Sequence, residues 1–228
     1  RSKLAEYNDP RLSRAFITKQ GTSGKEQAPG TADNAVYAPN GTPEQGTSKY
    51  GTSLFMYSIS APTLLLSYHE LKFLEAEALC RLERDAKSAL KDAVVAGLLN
   101  AENSFTISRK ELGKTLINAA SSITEAEAES YFDNTIEAKY TAEPLKTTMT
   151  QKYFALWGAS GEATESYNDV RRMKGLGENF IELKNPNSFP LRCPYGNSDT
   201  TTNAEVKAAY GNGQYVYSEN VWWAGGSR

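Results

Sequence analysis

The groups best able to do chemistry gather between Gln151 and Arg172. There Lys152, Glu162, Glu165, Asp169, Arg171 and Arg172 alternate with Phe154, Trp157, Tyr167 and Val170. Glu162 and Glu165, three apart and on one side of a helix, could serve as an acid/base couple acting on glycans. Glu165 or Asp169 with an arginine clamp is a second catalytic arrangement. The competing reading is an ion-paired structural corner, since charges beside large aromatics are tolerated when they pair or hydrogen-bond. The pattern favours the corner. His69 is the one histidine, so a Ser-His-Asp triad, a Cys-His couple or a two-histidine metal motif would each depend on it. It sits in a strongly helical run beside Glu70 and reads as structural. Glu75 and Glu77, two apart, point to different faces. Glu125, Glu127 and Glu129 form an acidic helix start that the helix dipole favours. No phosphate loop or GxGxxG follows a strand, and the sequence calls for no cofactor and no metal.

Composition narrows the classes further. The 228 residues carry a net charge of -2 and no Lys/Arg-rich run, so the electrostatic footprint of a nucleic-acid binder is missing. Cys80 and Cys193 lie far apart without CxxC spacing, which excludes a zinc knuckle or a dense disulfide framework. Cys80, in an apolar helix, reads as a small buried hydrophobe. The 13 tyrosines suit either a core rim or a surface for partly polar ligands. No stretch approaches the roughly 20 apolar residues of a spanning helix. The opening Arg1-Ser2-Lys3-Leu4 reads like the middle of a longer protein.

The elements that must position these groups are helical. Residues 18–53 are rich in Gly, Thr, Ser, Pro and Asn and read as a long surface loop. Ser67 with Glu70 forms a capping-box pattern. It opens a helix in which Leu71, Leu74, Ala78 and Leu82 share one face, widened by Phe73, Ala76 and Cys80; apolar over so much of its girth, it should be buried between neighbours. Asp85 caps a second helix with apolar positions from Ala86 to Leu98 at helical spacing. Its small residues Ala86, Ala89, Ala93 and Gly97 would let it approach the first helix closely, giving an αα-hairpin. The hairpin's length suits a tetratricopeptide-like unit of about 34 residues. Further helices are expected at 108–119, 124–136 (Thr124 with Glu127 as capping box), 141–158 (Pro144 in its first turn) and 161–174, with a short one at 203–210 capped by Asn203. Any strands are short, so the fold class is all-α with little or no sheet.

Several segments together resemble the SusD/RagB family of outer-membrane lipoproteins. Leu65 to Ala78 resembles the family's YxExxFxxAEA helix. Gln151 to Arg172 resembles its QKxxAL…G.EA…N..RR helix pair. Phe189-Pro190-Leu191-Arg192-Cys193-Pro194-Tyr195 is similar to its xPxRxPYP segment, with Cys193 and Gly196 departing from the commonest letters. Asn8-Asp9-Pro10-Arg11, Asn203 and the closing Val221-Trp222-Trp223 also fit, in the right order. The resemblance implies that residues 1–228 are the C-terminal portion of one such domain, with 18–53 a surface loop, 62–174 the helical body and 175–228 an irregular C-terminal segment. It implies a lipid-anchored protein on the outside of a Gram-negative outer membrane, its lipidated cysteine and N-terminal half outside this chain. It implies a TonB-dependent, SusC-like transporter as partner and an oligosaccharide, or in some members a peptide, as ligand.

Nutrient binding without catalysis is therefore the expected function. Tyr37, Asn40, Lys49 and Tyr50 of the long loop are the candidate ligand contacts, because sugars stack their C–H faces on aromatic rings while amide and ammonium groups bond the hydroxyls. A helical module that binds only protein, and a glycan-cleaving enzyme using Glu162 and Glu165, are the alternatives.

Overall fold

The computed structural model describes residues 2–20, 25–27, 52–112, 121–182, 188–213 and 215–226. Helices α1 (Ser2–Glu6), α2 (Tyr68–Arg81), α3 (Lys87–Leu112), α4 (Glu125–Tyr131), α5 (Glu137–Ala142), α6 (Pro144–Ala155) and α7 (Glu165–Gly175) belong to one compact unit. Helices α8 (Asn197–Thr202) and α9 (Ala204–Tyr210) belong to a second, smaller one. The all-α expectation holds. A small antiparallel sheet in the order β2-β1-β3 joins β1 (Phe16–Gln20), β2 (Lys25–Gln27) and β3 (Thr52–Ser53), with Thr18 opposite Gln27 and Phe16 opposite Ser53. The expected loop 18–53 thus has strands inside both its ends, where Phe16, Ile17 and Thr18 suit a pleat.

The capping signals are realised. Ser67 accepts from Glu70 N, Thr124 from Glu127 N, and Asn203 from Glu205 N and Val206 N. Pro144 stands in the first turn of α6, and Glu143 before it leaves the helical region (φ -143°, ψ 77°), as a residue preceding proline prefers. This separates α5 from α6 where the sequence reading began a helix at 141. Between α4 and α5, Phe132–Ile136 forms a π-helical turn with Phe132 and Ile136 buried.

Helix α3 departs from expectation. The polar run Glu102-Asn103-Ser104 interrupts the apolar periodicity, and a separate helix at 108–119 was expected. Instead α3 runs unbroken to Leu112; residues 113–120 lie outside the described ones. Ala101, Phe105 and Ser108 keep facing inward, and Ser108 Oγ donates to the carbonyl of Leu54 or of Ser104 (2.7 and 2.8 Å). Helices α2, α4 and α6 and the 3-10 turn Leu54–Tyr57 all pack on α3. Gly97 serves α6 here, since a Cβ at Gly97 would lie 2.9 Å from Ala155 Cβ and only 4.0 Å from Phe73 of α2.

Helix α2 is turned opposite to its expected face. Phe73 and Ala76 are buried together with His69, Glu70 and Glu77, while Leu71, Leu74 and Leu82 are 51%, 42% and 64% exposed. The helix is apolar on two sides, so periodicity alone could not choose between them. The side carrying Phe73 and Ala76 faces inward, and Glu77 beside them is met there by Arg81 and Arg172.

In the smaller unit the Phe189–Tyr195 segment is tied back by Leu191 N to Val216 O (2.7 Å) and Tyr195 N to Gly213 O (3.3 Å). The Tyr195 and Tyr210 rings stack at 4.4 Å, and the Arg192 guanidinium lies 4.7 Å over Tyr195. Trp222 and Trp223 pack edge-to-face at 5.7 Å and remain exposed. Both cysteines are free thiols.

Candidate functional site

The charged corner forms where α2, α6 and α7 meet. Helices α2 and α7 end in the same way, with the chain folding back over the last turn. In α7, Glu178 N bonds Met173 O (2.8 Å) and Gly177 N bonds Lys174 O (3.1 Å), with Gly177 at φ +76°. This double bond pattern closes a helix through one left-handed residue. It delivers Glu178 to Arg81 in the last turn of α2, and the two form a two-point contact at 2.8 and 2.9 Å. Arg81 Nε also donates to Glu77 at 2.7 Å. Glu77 in turn takes both terminal nitrogens of Arg172, whose Nη2 lies 2.8 Å from Oε2. Arg172 reaches Asp169 at 2.9 Å, and Asp169 holds Lys152 at 2.8 Å.

Acid and base alternate along this network from Glu178 to Lys152. Lys152 and Glu77 are 2% and 5% exposed, so each would be costly to bury alone. Burial pushes the Glu77 carboxyl up, but the hydrogen bonds of Arg172 and Arg81 outweigh it and hold it below the ordinary carboxylate range. Arg81 and Arg172 are held charged, first by hydrogen bonds to Glu178 and Glu77 respectively.

The network, all but Glu178, borders an open cleft of about 510 Å³ that is also lined by Leu74, Ala78, Glu70, Glu165 and Asn168. Glu70, buried, is pushed up to about 7 by desolvation first and then by the charge and hydrogen bond of Glu162, against Lys152. Glu162 is 2% exposed and accepts from Ser67 N at the start of α2. Its other oxygen stands 3.6 Å from His69 Nε2, and burial lowers the His69 pKa. Glu165 accepts from Asn168 Nδ2 at 3.2 Å.

The chemical capacity of this arrangement is small. Its strong charges neutralise one another, and Glu162 is sealed away from any substrate that Glu165 could reach. Arg171, a candidate clamp, stays out of the network; its guanidinium lies 5.6 Å over the Tyr167 ring. Among the described residues no group of His, Cys, Asp and Glu could hold a metal ion, and no helix is long and apolar enough to cross a membrane. The sequence reading found Lys152, Asp169 and Arg172 but missed Glu77, Arg81 and Glu178. The four-residue spacing of Glu77 and Arg81 was a signal for that pair; nothing local announced Glu178.

A second buried pair lies in the turn after α1. Asn8 takes a left-handed conformation (φ 48°), tolerated by Asn. Asp9 Oδ1 accepts from Arg11 N, and both Asp9 oxygens meet the Arg11 guanidinium at 2.8 and 2.6 Å. Arg11 Nη1 donates to Phe154 O on α6 at 2.7 Å. The proposed ligand contacts Tyr37, Asn40, Lys49 and Tyr50 lie outside the described residues.

Comparison with known proteins places these features. No curated protein matches the chain. A solved SusD/RagB family protein from Bacteroides thetaiotaomicron VPI-5482 is 64% identical with a TM-score of 0.87, over 100% of this chain and 49% of its own. A SusD homolog from Bacteroides fragilis NCTC 9343 (19% identical, TM-score 0.56, 95% of this chain and 49% of its own) shares the fold. So does a candidate nutrient-binding outer membrane protein from Bacteroides vulgatus ATCC 8482 (21%, TM-score 0.63, 97% and 50%). The chain thus spans about half the length of these structures. The family model for SusD-like proteins, described as starch-binding associating with outer membrane, matches residues 1–195. With the helix pair, the Phe189–Tyr195 segment and the fold in agreement, this chain belongs to the SusD-like family.

Proposed function

We propose that this chain is the C-terminal portion of a cell-surface protein that captures an oligosaccharide and passes it to a TonB-dependent, SusC-like transporter in the outer membrane, without catalysing a reaction. A lipid on a cysteine outside residues 1–228 holds it at the outer leaflet. Family membership supports the nutrient-binding part. The observation that carries the non-catalytic part is the corner itself, where Glu77, Asp169 and Glu178 are each matched by a cation and Glu162 is sealed in by Ser67 and His69. A general acid needs access to its substrate, and these carboxylates are spent on holding α2, α6 and α7 together.

The ligand contacts we assign are Tyr37 and Tyr50 for stacking on sugar rings, with Asn40 and Lys49 for hydroxyls. Calorimetry of the intact protein with malto-oligosaccharides, other glycan fragments and short peptides tests the reading. Saturable heat with a glycan, reduced about tenfold or more in a Tyr37→Ala/Tyr50→Ala variant, is expected for loss of two stacking rings. Undiminished affinity in that variant removes the site assignment. New reducing ends released from any glycan, and abolished by Glu165→Gln, would overturn the non-catalytic reading.

A further inference from the structure

The turn between α6 and α7 closes on the chain that leads into α2. Leu64 N donates to Ser160 O at 2.7 Å. Gly161, at φ +87°, lies so near that a Cβ there would collide with Leu64 O. Glu162 follows, and its Oε1 accepts from Ser67 N. The seam ends in three buried titratable side chains, since His69, Glu70 and Glu162 are 3%, 7% and 2% exposed. Among the described residues neither Glu162 Oε2 nor His69 Nε2 has a hydrogen-bond partner. They stand 3.6 Å apart, too far to bond each other. Glu162 meets the carboxyl of Glu70 through a side-chain hydrogen bond. Carboxylates only accept, so a bond between two of them requires that one carry a proton. The cations around the trio are already matched. Lys152 of α6, facing Glu70, is held by Asp169 at 2.8 Å, and Arg11, facing His69, is held by Asp9 at 2.6 Å. Glu165 of α7 adds a further negative charge toward Glu70.

We propose that Glu70 and Glu162 share one proton, and that this proton closes a pH-sensitive latch between the start of α2 and the turn joining α6 to α7. With the proton in place the two carboxyls bond each other and the first turn of α2 stays seated on Glu162. Without it two buried anions face each other, with Glu165 behind them, and the seam parts more readily. The direction follows from Glu70, whose folded pKa of about 7 lies above the ordinary 4.5. The closed latch holds a proton that the open one releases, so its closure is complete below about 4.5 and is lost as pH rises through about 7. His69 pulls the other way: its lowered pKa makes the closed state release a proton that the open state would take up below the usual histidine range.

Native-state hydrogen exchange on the intact protein carrying this chain, from pH 5 to 8, tests the latch. Rates divided by those of an unstructured chain at each pH give opening constants for the amides from Ser67 to Leu71. The quantity to follow is the ratio of the wild-type constant to that of Glu70→Gln, whose amide still donates to Glu162 but does not titrate; His69 cancels in that ratio. It should climb at least about tenfold from pH 5 to pH 7 and level off above, since one proton moves an equilibrium at most about tenfold per pH unit. The ratio of wild type to Glu162→Gln should climb too, by less, because Glu70 then loses the anion opposite but stays buried. This second ratio also keeps the test decisive if Glu70→Gln loosens the whole unit. A Glu162→Gln ratio that is constant with pH overturns the shared proton, and a constant Glu70→Gln ratio does the same. Amides at Ser67 to Leu71 that open only together with those of α3 overturn the latch.

Discussion

At the scale of single residues, the buried charges carry the specific predictions. The Asp9–Arg11 pair is 0% and 3% exposed at its side chains and ties the first turn to α6 through Phe154 O. Removing one partner leaves the other charged and unpaired, so Arg11→Ala should cost about 3–5 kcal/mol in urea unfolding. Glu70 sets a pH dependence. Its folded pKa of about 7 lies above the ordinary 4.5, so the folded state holds the extra proton in between. That contribution is complete below the unfolded value and is lost as pH rises through about 7. His69 acts oppositely: its lowered pKa means stability lost as pH falls below the usual histidine range. Unfolding free energies measured from pH 5 to 8 should therefore fall more steeply toward pH 8 in the wild type than in Glu70→Gln, which keeps the amide without the titration. Parallel curves would mean that Glu70 does not hold the proton. The pairing of Asp9 with Arg11 was half legible, since Asn-Asp-Pro-Arg announces a turn. That the turn reaches residue 154 was not, because the contact joins positions far apart in sequence.

At the scale of elements, helix ends were the most legible features because capping chemistry is local. Ser67, Thr124, Asn203 and Pro144 act where the sequence placed them. Facing was less legible, as α2 shows: two apolar sides give two consistent burials, and the one with Phe73 and Ala76 is the one buried. The end of α2 offers a direct test. Arg84 N bonds Leu79 O (2.9 Å) and Glu83 N bonds Cys80 O (3.1 Å), the same closure as α7, but the left-handed residue is Glu83 (φ 55°) where α7 has Gly177. A side chain there costs about 1–2 kcal/mol relative to glycine, partly offset by glycine's freedom when unfolded. Glu83→Gly should raise stability by about 0.5–1 kcal/mol, read as a higher urea midpoint. At the crossing of α3 and α6, where a Cβ on Gly97 already meets Ala155 at 2.9 Å, Gly97→Val should cost about 1–3 kcal/mol by overpacking. An unchanged midpoint would show that the helices can part.

At the scale of the whole molecule, the family was legible from motif order, and the all-α class from the dominance of helical spacing. The small sheet was not, since β2 and β3 are too short to show a period. The proposed ligand contacts Tyr37, Asn40, Lys49 and Tyr50 rest on residue chemistry alone, and the binding measurement decides them. Helix α3 has one further consequence. It is a rod of 26 residues, about 39 Å long, with α2, α4, α6 and the 3-10 turn seated along it. No neighbour can leave without uncovering part of it, so its backbone amides around Leu90 to Phe105 open only when the larger unit unfolds altogether. In native-state hydrogen exchange those amides should be the last to take up deuterium, with an opening free energy equal to that of global unfolding. The exposed termini of α2 and α7 should exchange first. The larger unit would then be a frame that stays shut while its margins breathe.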